Sequence, residues 1–398
     1  MTEQYETGVF MRNLPPSRRT VLRAGSALAA LAALEGCTSS PPGPEDSTPP
    51  SPTASATGPV RLMPAEWLPH TRTFMAWPAL TEVWGDQLPD VQQDIAHLAQ
   101  AVAQFEPVVL MASPDQVAAA RQLCGSSVEV IPLPVDDLWA RDTGPTFVTG
   151  PQGALSGVDL NFNGWGNKQT HANDSQVAGR LLDTYRIPRV QAPITGEGGA
   201  IEVDGMGTLM ATESSLVNPN RNPGRTRDQI QADLQDLFGV RKVIWFKGVA
   251  GQDITDCHVD ALARFVQPGV VVLHRPGPDT PPDIWSTASD QAQQVLRTAT
   301  DADGRSLRVV EITEPDFTKI SGQGKNFLAT YVNFYVVNGA VIMPRFGDQA
   351  ADEKAAATLG ELHPGRKIVQ LTIDAIAAGG GGIHCSTQQQ PVTAAATP

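Results

Sequence analysis

The sequence predicts an α/β fold rich in β-structure, on three observations. Short apolar, β-branched runs recur along the chain, helical patterns lie between them, and one unusual polar cluster accompanies each strand-helix-strand stretch. At 398 residues, with 41% hydrophobic and 18% charged side chains, the chain has the apolar material for one large domain or two. Its formal net charge of -13 argues against nucleic acid or an anionic membrane surface as the main partner and suits a cationic ligand.

The first segment is an address rather than part of a core. Ser17-Arg18-Arg19-Thr20-Val21-Leu22 precedes an apolar run from Ala24 to Leu34, the pattern of a twin-arginine export signal. The run is too short to span a membrane. It ends in Leu34-Glu35-Gly36-Cys37, a candidate lipoprotein site with Cys37 as the acylated residue, although Glu35 replaces the small or apolar residue usual there. Residues 1–37 are therefore read as a leader that exports the chain and anchors it to the outer face of the cytoplasmic membrane. A plain cleaved signal with a spare cysteine is the alternative. Residues 38–59, rich in Ser, Thr and Pro, read as a solvated tether, so the folded domain is expected over 60–398.

Strands are predicted at Val108–Met111, Val128–Leu133, Val158–Phe162, Val243–Phe246, Val270–Leu273, Leu307–Ile312, Tyr331–Val337 and Ile368–Leu371. Val91, Ile95, Leu98, Val102 and Phe105 share one face of a helix begun by Asp90. Ile230, Leu234, Leu237 and Phe238 form a second such face, opened by the capping box Thr226-Arg227-Asp228-Gln229 and stopped by Gly239. Beyond Cys37 the cysteines are Cys124, Cys257 and Cys385, an odd number with no CxxC or zinc-ligand spacing. A protein folded before export has no need of a disulfide framework.

The polar clusters are Trp139-Ala140-Arg141-Asp142-Thr143-Gly144-Pro145, Gly196-Glu197-Gly198-Gly199, Asp256-Cys257-His258-Val259-Asp260, Tyr331-Val332-Asn333-Phe334 and Gly379 to Cys385. From Asp142 to Glu197, His258, Asn333 and Cys385 the steps are 55, 61, 75 and 52 residues, which suggests a repeated unit sending one residue each to a shared centre. Together they supply a thiol nucleophile, an imidazole for acid and base work, and carboxylates suited to forked hydrogen bonds with a planar cation. Strand alternation would put Asp256, His258 and Asp260 on one face, with Cys257 opposite, and would likewise turn His384 away from Cys385. The four glycines Gly379 to Gly382 suit positive φ and close backbone approach, presenting Cys385 at a fixed place; a flexible linker before a buried thiol is the alternative.

These motifs resemble the agmatine deiminase and bacterial peptidylarginine deiminase family of the guanidino-group-modifying superfamily. Met63-Pro64-Ala65-Glu66-Trp67, Met75-Ala76-Trp77-Pro78, Phe162-Asn163-Gly164-Trp165-Gly166, Arg221-Asn222-Pro223 and Pro344-Arg345-Phe346-Gly347-Asp348 match as well, so the similarity runs from about Met63 to Pro391. The resemblance implies a five-bladed α/β propeller (pentein) of repeated ββαβ-type units around a central active site. It implies that Cys385 attacks a guanidinium carbon, that His258 protonates departing ammonia and then activates water, and that Glu197 orients His258. Asp142 and Asp260 would grip the guanidinium, Asn333 would support the thiolate, and Trp139 and Trp165 would line the substrate pocket. No metal or organic cofactor is expected, because the bound cation is itself the electrophile.

Agmatine, hydrolysed to N-carbamoylputrescine and ammonia, is the substrate this resemblance favours. The segment Asn167-Lys168-Gln169-Thr170-His171-Ala172-Asn173-Asp174 departs from the agmatine branch, and export suits peptidylarginine or free arginine. A lipid-anchored guanidine-binding protein without turnover, a papain-like protease and a metal site from His258, Asp256 and Asp260 are the readings from other classes. For each residue there is also a structural alternative: Asp142 and Glu197 as turn formers, Asn333 as a backbone partner, and the tryptophans as packing.

Overall fold

The computed structural model describes residues 61–322, 324 and 326–393. The twin-arginine segment, Cys37 and the tether 38–59 lie outside the described residues. Among those described, no helix is long and apolar enough to cross a membrane.

Five small sheets repeat one ββαβ plan. In the simplest blade Ile201–Val203 and Thr208–Thr212 form an antiparallel hairpin, and Lys242–Phe246 returns parallel to the second strand after the helix Arg227–Phe238. The same order recurs in three further blades. They are Thr146–Thr149, Leu155–Asp159 and Arg189–Gln191; Ala263–Gln267, Val270–Arg275 and Arg308–Thr313; and Tyr335–Val337, Ala340–Pro344 and Lys367–Leu371. A parallel return needs a crossover, and the intervening helix supplies it while burying one sheet face. The remaining blade joins the two ends of the domain: Gln388–Pro391 pairs antiparallel with His70–Ala76, which pairs parallel with Val108–Ala112, which in turn pairs with Val128–Pro132. The strand following Cys385 therefore closes a five-bladed propeller, as the resemblance implied.

Local signals account for the elements that were legible. The helix Arg227–Phe238 is opened by the reciprocal capping box of Thr226 and Gln229 and closed by Gly239 at φ 65°, and it buries Ile230, Leu234, Leu237 and Phe238. The helix bearing Val91, Ile95 and Leu98 spans Leu88–Val102, starting before Asp90 because Pro89 fits the first turn, and stopping before Phe105. Two strand expectations are corrected. Only Tyr335–Val337 of Tyr331–Val337 joins a ladder, and Leu160 to Phe162 lie beyond Leu155–Asp159. In both cases the apolar residues outside the strand are buried by packing rather than by sheet pairing, which alternation cannot distinguish.

Each polar cluster lies just ahead of the first strand of a blade: Asp142 before Thr146, Glu197 before Ile201, His258 and Asp260 before Ala263, Asn333 before Tyr335, and Cys385 before Gln388. The repeat thus brings together residues whose sequence positions are more than fifty apart.

Candidate active site

Cys385 sits on a turn, not a strand, after the glycine run. The glycines have distinct reasons. Gly380 takes φ +88°, while a Cβ on Gly379 would lie 2.2 Å from the Trp84 ring, one on Gly381 2.1 Å from the Trp139 ring, and one on Gly382 2.4 Å from Asn333 Oδ1. The run is thus close approach, with one left-handed residue. It sets Cys385 Sγ 3.3 Å from Asn333 Nδ2 and 3.5 Å from Asp260 Oδ2, to which the thiol donates. Asn333 Oδ1 accepts from the backbone N–H groups of His384 and Cys385, so the amide clamps the nucleophile's turn.

His258 opens a short 3-10 turn, and its ring lies between two carboxylates. Nε2 is 3.4 Å from Glu197 Oε2, and Nδ1 is 3.7 Å from Asp142 Oδ2. Asp142 is held by the Trp165 indole N–H at 2.9 Å and the Gly199 backbone N–H at 3.0 Å, so it is not the turn former of the alternative reading. Gly199 marks the point of convergence. A Cβ there would be 2.7 Å from His258 Nδ1, 2.9 Å from Asp142 Oδ1 and 3.0 Å from Asp260 Oδ2, leaving no room for a side chain. Four buried polar atoms beside it make no hydrogen bond: both ring nitrogens of His258, Glu197 Oε2 and Asp260 Oδ1. Unsatisfied buried groups of this kind are rare and point to a ligand with donors and charge.

Electrostatics set the resting protonation. Burial alone would lower the His258 pKa, but the charge of Asp142, the close contact and charge of Glu197, and the charge of Asp260 raise it to about 9, so the ring is an imidazolium at neutral pH. Burial, with the carboxylates of Asp260 and Asp142, pushes the Cys385 thiol well above its ordinary value. Burial also raises Asp142, whereas Asp260, despite its burial, is held below the usual carboxylate range by the hydrogen bond and charge of His384. The resting pair is a neutral thiol and a charged imidazole.

Two sequence expectations change. Asp256 and Cys257 are left-handed, at φ 60° and 69°, a conformation costing a non-glycine residue roughly 1 kcal/mol or more. Alternation therefore fails at this turn, and the Asp256 carboxylate points to Lys168 Nζ at 2.6 Å, to the Gly251 N–H and to Arg221 instead of joining His258 and Asp260. The metal triad of His258, Asp256 and Asp260 is not assembled. Second, His384 faces the site: its Nδ1 is 2.7 Å from Asp260 Oδ2 and its Nε2 2.8 Å from Glu66 Oε2. It fixes one oxygen of Asp260 and leaves the other open. Cys257 is buried, with its thiol pushed up to about 12 mainly by burial, while Cys385 is the cysteine whose Sγ contacts Asn333 and Asp260.

The two tryptophans are both buried. Trp165 supports Asp142, while Trp139 packs on Gly381 and donates to Asp137 at 3.1 Å. Two further groups escaped sequence reasoning. Arg221 donates from Nε to Glu197 Oε1 at 2.9 Å, and Glu66 gathers Arg264, Arg141 and His384 beneath Asp260. Both occur in the matching motifs, which was the only signal available for them.

The family model described as Porphyromonas-type peptidyl-arginine deiminase matches residues 62–391. An agmatine deiminase of Stutzerimonas stutzeri is 39% identical over 352 residues, covering 83% of this chain and 95% of its own, and one of Medicago truncatula is 37% identical over 360 residues, covering 83% and 96%. The fold superposes on the agmatine deiminase of Enterococcus faecalis with a TM-score of 0.78 at 30% identity, covering 83% of this chain and 96% of that one. With the match running through every polar cluster from Asp142 to Cys385, the chain belongs to the Porphyromonas-type peptidyl-arginine deiminase family.

Proposed function

We propose that the chain is a hydrolase that deiminates a guanidino substrate, most simply agmatine, through a covalent adduct on Cys385. The observation carrying this reading is the convergence beside Gly199 of His258, Asp142 and Asp260, with Asp260 Oδ1 unpaired and the Cys385 thiol bonded to the same carboxylate. A guanidinium held between Asp142 and Asp260 offsets the two carboxylates that help keep the proton on Sγ, so the thiol gives its proton to solvent when substrate is bound. The thiolate then adds to the guanidinium carbon. His258 gives its proton to one NH2 group, which leaves as ammonia with the C–N bonding electrons, and an S-amidino adduct remains. The neutral imidazole next takes a proton from water as the oxygen adds to that carbon. Collapse returns the C–S electron pair to Sγ, and the hydroxyl proton passes to that thiolate as the ureido product forms, restoring the neutral thiol beside the imidazolium. Glu197 holds the imidazole for both transfers.

Agmatine is preferred because the relatives above bear that name over most of both chains. The experiment is ammonia release by the purified protein from agmatine, free arginine, peptidylarginine and small guanidines. Agmatine is expected to have the highest kcat/KM; release from none of them sinks the reading, and preference for peptidylarginine transfers it to that substrate. Asp142→Asn or Asp260→Asn should each lower kcat/KM by more than about tenfold, since a hydrogen bond to a charged group is worth about 1.5–3 kcal/mol. Parental efficiency in both variants would remove the guanidinium clamp.

Export and anchoring follow from residues 1–37 alone. Cys37→Ser should release the protein from the membrane fraction or block its processing, and replacing Arg18 and Arg19 by Lys should retain it in the cytoplasm. Cell fractionation checks both, and an unchanged distribution would count against the anchor or the route respectively.

A further inference from the structure

Glu197 reaches His258 with one oxygen and is anchored through the other. Arg221 Nε donates to Glu197 Oε1 at 2.9 Å, Nη1 binds Asp256 Oδ2, and Nη2 donates to the Thr255 carbonyl at 3.0 Å; the side chain is fully buried. Asp256 is held in turn by Lys168 Nζ at 2.6 Å, the Gly251 N–H at 2.7 Å and Asn220 Nδ2 at 3.1 Å. A continuous relay, Lys168 to Asp256 to Arg221 to Glu197, thus ends at the imidazole. The same Asp256 belongs to the left-handed turn that delivers His258.

We propose that Arg221, backed by Asp256, is a positioning residue that fixes Glu197 against His258 and keeps the pair able to release its proton in the second half of the reaction. The inference rests on the deiminase reading. Three carboxylates surround His258, namely Asp142, Glu197 and Asp260, and all favour its charged form. That suits expulsion of ammonia but opposes activation of water, which needs the neutral ring. Arg221 is the cation bound directly to Glu197, and its guanidinium draws on the charge that would otherwise hold the imidazolium. The groups packed on the pair are therefore Asp142 and Asp260 beside the ring, Arg221 beside Glu197, and Asp256 and Lys168 one contact beyond.

The signs are opposite for the two relay members. Removing the positive charge in Arg221→Gln makes the His258–Glu197 pair hold its proton more tightly, so the acid limb of kcat for adduct hydrolysis should move up by about one pH unit, with S-amidino Cys385 accumulating at neutral pH. Removing the negative charge in Asp256→Asn should move the limb down. Arg221→Lys should keep the limb near its parental position while lowering kcat, because one ammonium cannot fork between Glu197 and Asp256. The measurements are pH profiles, intact-protein mass during turnover, and titration of the His258 imidazole resonances, the last of which needs no turnover. Shifts of the same sign in Arg221→Gln and Asp256→Asn, or none, would overturn the proposal. If Arg221→Gln does not fold, the direction found for Asp256→Asn decides alone. A parent that forms no adduct with any guanidine defeats the deiminase reading instead, and the resonance titration still decides the role of Arg221.

Discussion

Cys385→Ser is expected to lower steady-state ammonia release by at least about a thousandfold on every guanidine the parent accepts, because a serine hydroxyl beside Asp142 and Asp260 has no accessible anion to attack with. The substitution exchanges sulfur for oxygen while the Asn333 and Asp260 partners remain, so thermal stability should stay close to the parent's. No S-amidino adduct should appear by intact mass. Activity within tenfold of the parent would end the covalent mechanism. His258→Ala should be as inactive, since the other imidazole near the centre, His384, spends both ring nitrogens on Asp260 and Glu66. It should also lose stability, because it strips the imidazolium from between three buried carboxylates. That ion contributes stability fully present below the ordinary histidine pKa of 6.5 and lost as pH rises through about 9, so the parent's advantage in Tm over His258→Ala should narrow at high pH.

Glu66→Ala should produce the largest loss of stability. The buried carboxylate accepts from Arg264 Nη2 at 2.9 Å, His384 Nε2 at 2.8 Å, Arg141 Nη2 at 3.3 Å and the Val336 N–H at 2.9 Å. Burial opposes its charge, yet Arg264, His384 and Arg141 hold its pKa well below the ordinary value. The first segment of the domain is thereby tied to the blade of Arg264, to the blade of Val336 and to the turn ahead of the strand that closes the ring. Removing Glu66 leaves Arg141 without its buried counter-ion, His384 with Asp260 alone and Arg264 with Glu202 alone, at a cost of about 3–5 kcal/mol. Chemical denaturation would read this as a lower midpoint at unchanged slope. Activity lost at parental stability would instead make Glu66 a group of the site, acting through His384 on Asp260.

Sequence by itself determined the parts set by local or chemical necessity. A capping box and an apolar stripe specify the helix Arg227–Phe238, because both signals lie within a few turns of one another. The residue types Cys385, His258, Asp142, Glu197, Asp260 and Asn333, drawn from one cluster per unit, were legible as a set because their chemistry is complementary and the motifs around them are specific. Tertiary structure alone decided direction and counter-charge. His384 and Asp256 were placed on the wrong faces because alternation holds only while the backbone is extended. Cys385 and His384 lie on a turn, and Asp256 sits at positive φ. Gly199 carries no signal of its own in the sequence, yet its absent side chain is the space where three polar groups meet. Glu66 and Arg221 were beyond reach for a related reason. A buried ion pair is defined by partners such as His384, 318 residues from Glu66, and no periodicity or propensity in one chain encodes which distant charge will meet another once the blades close.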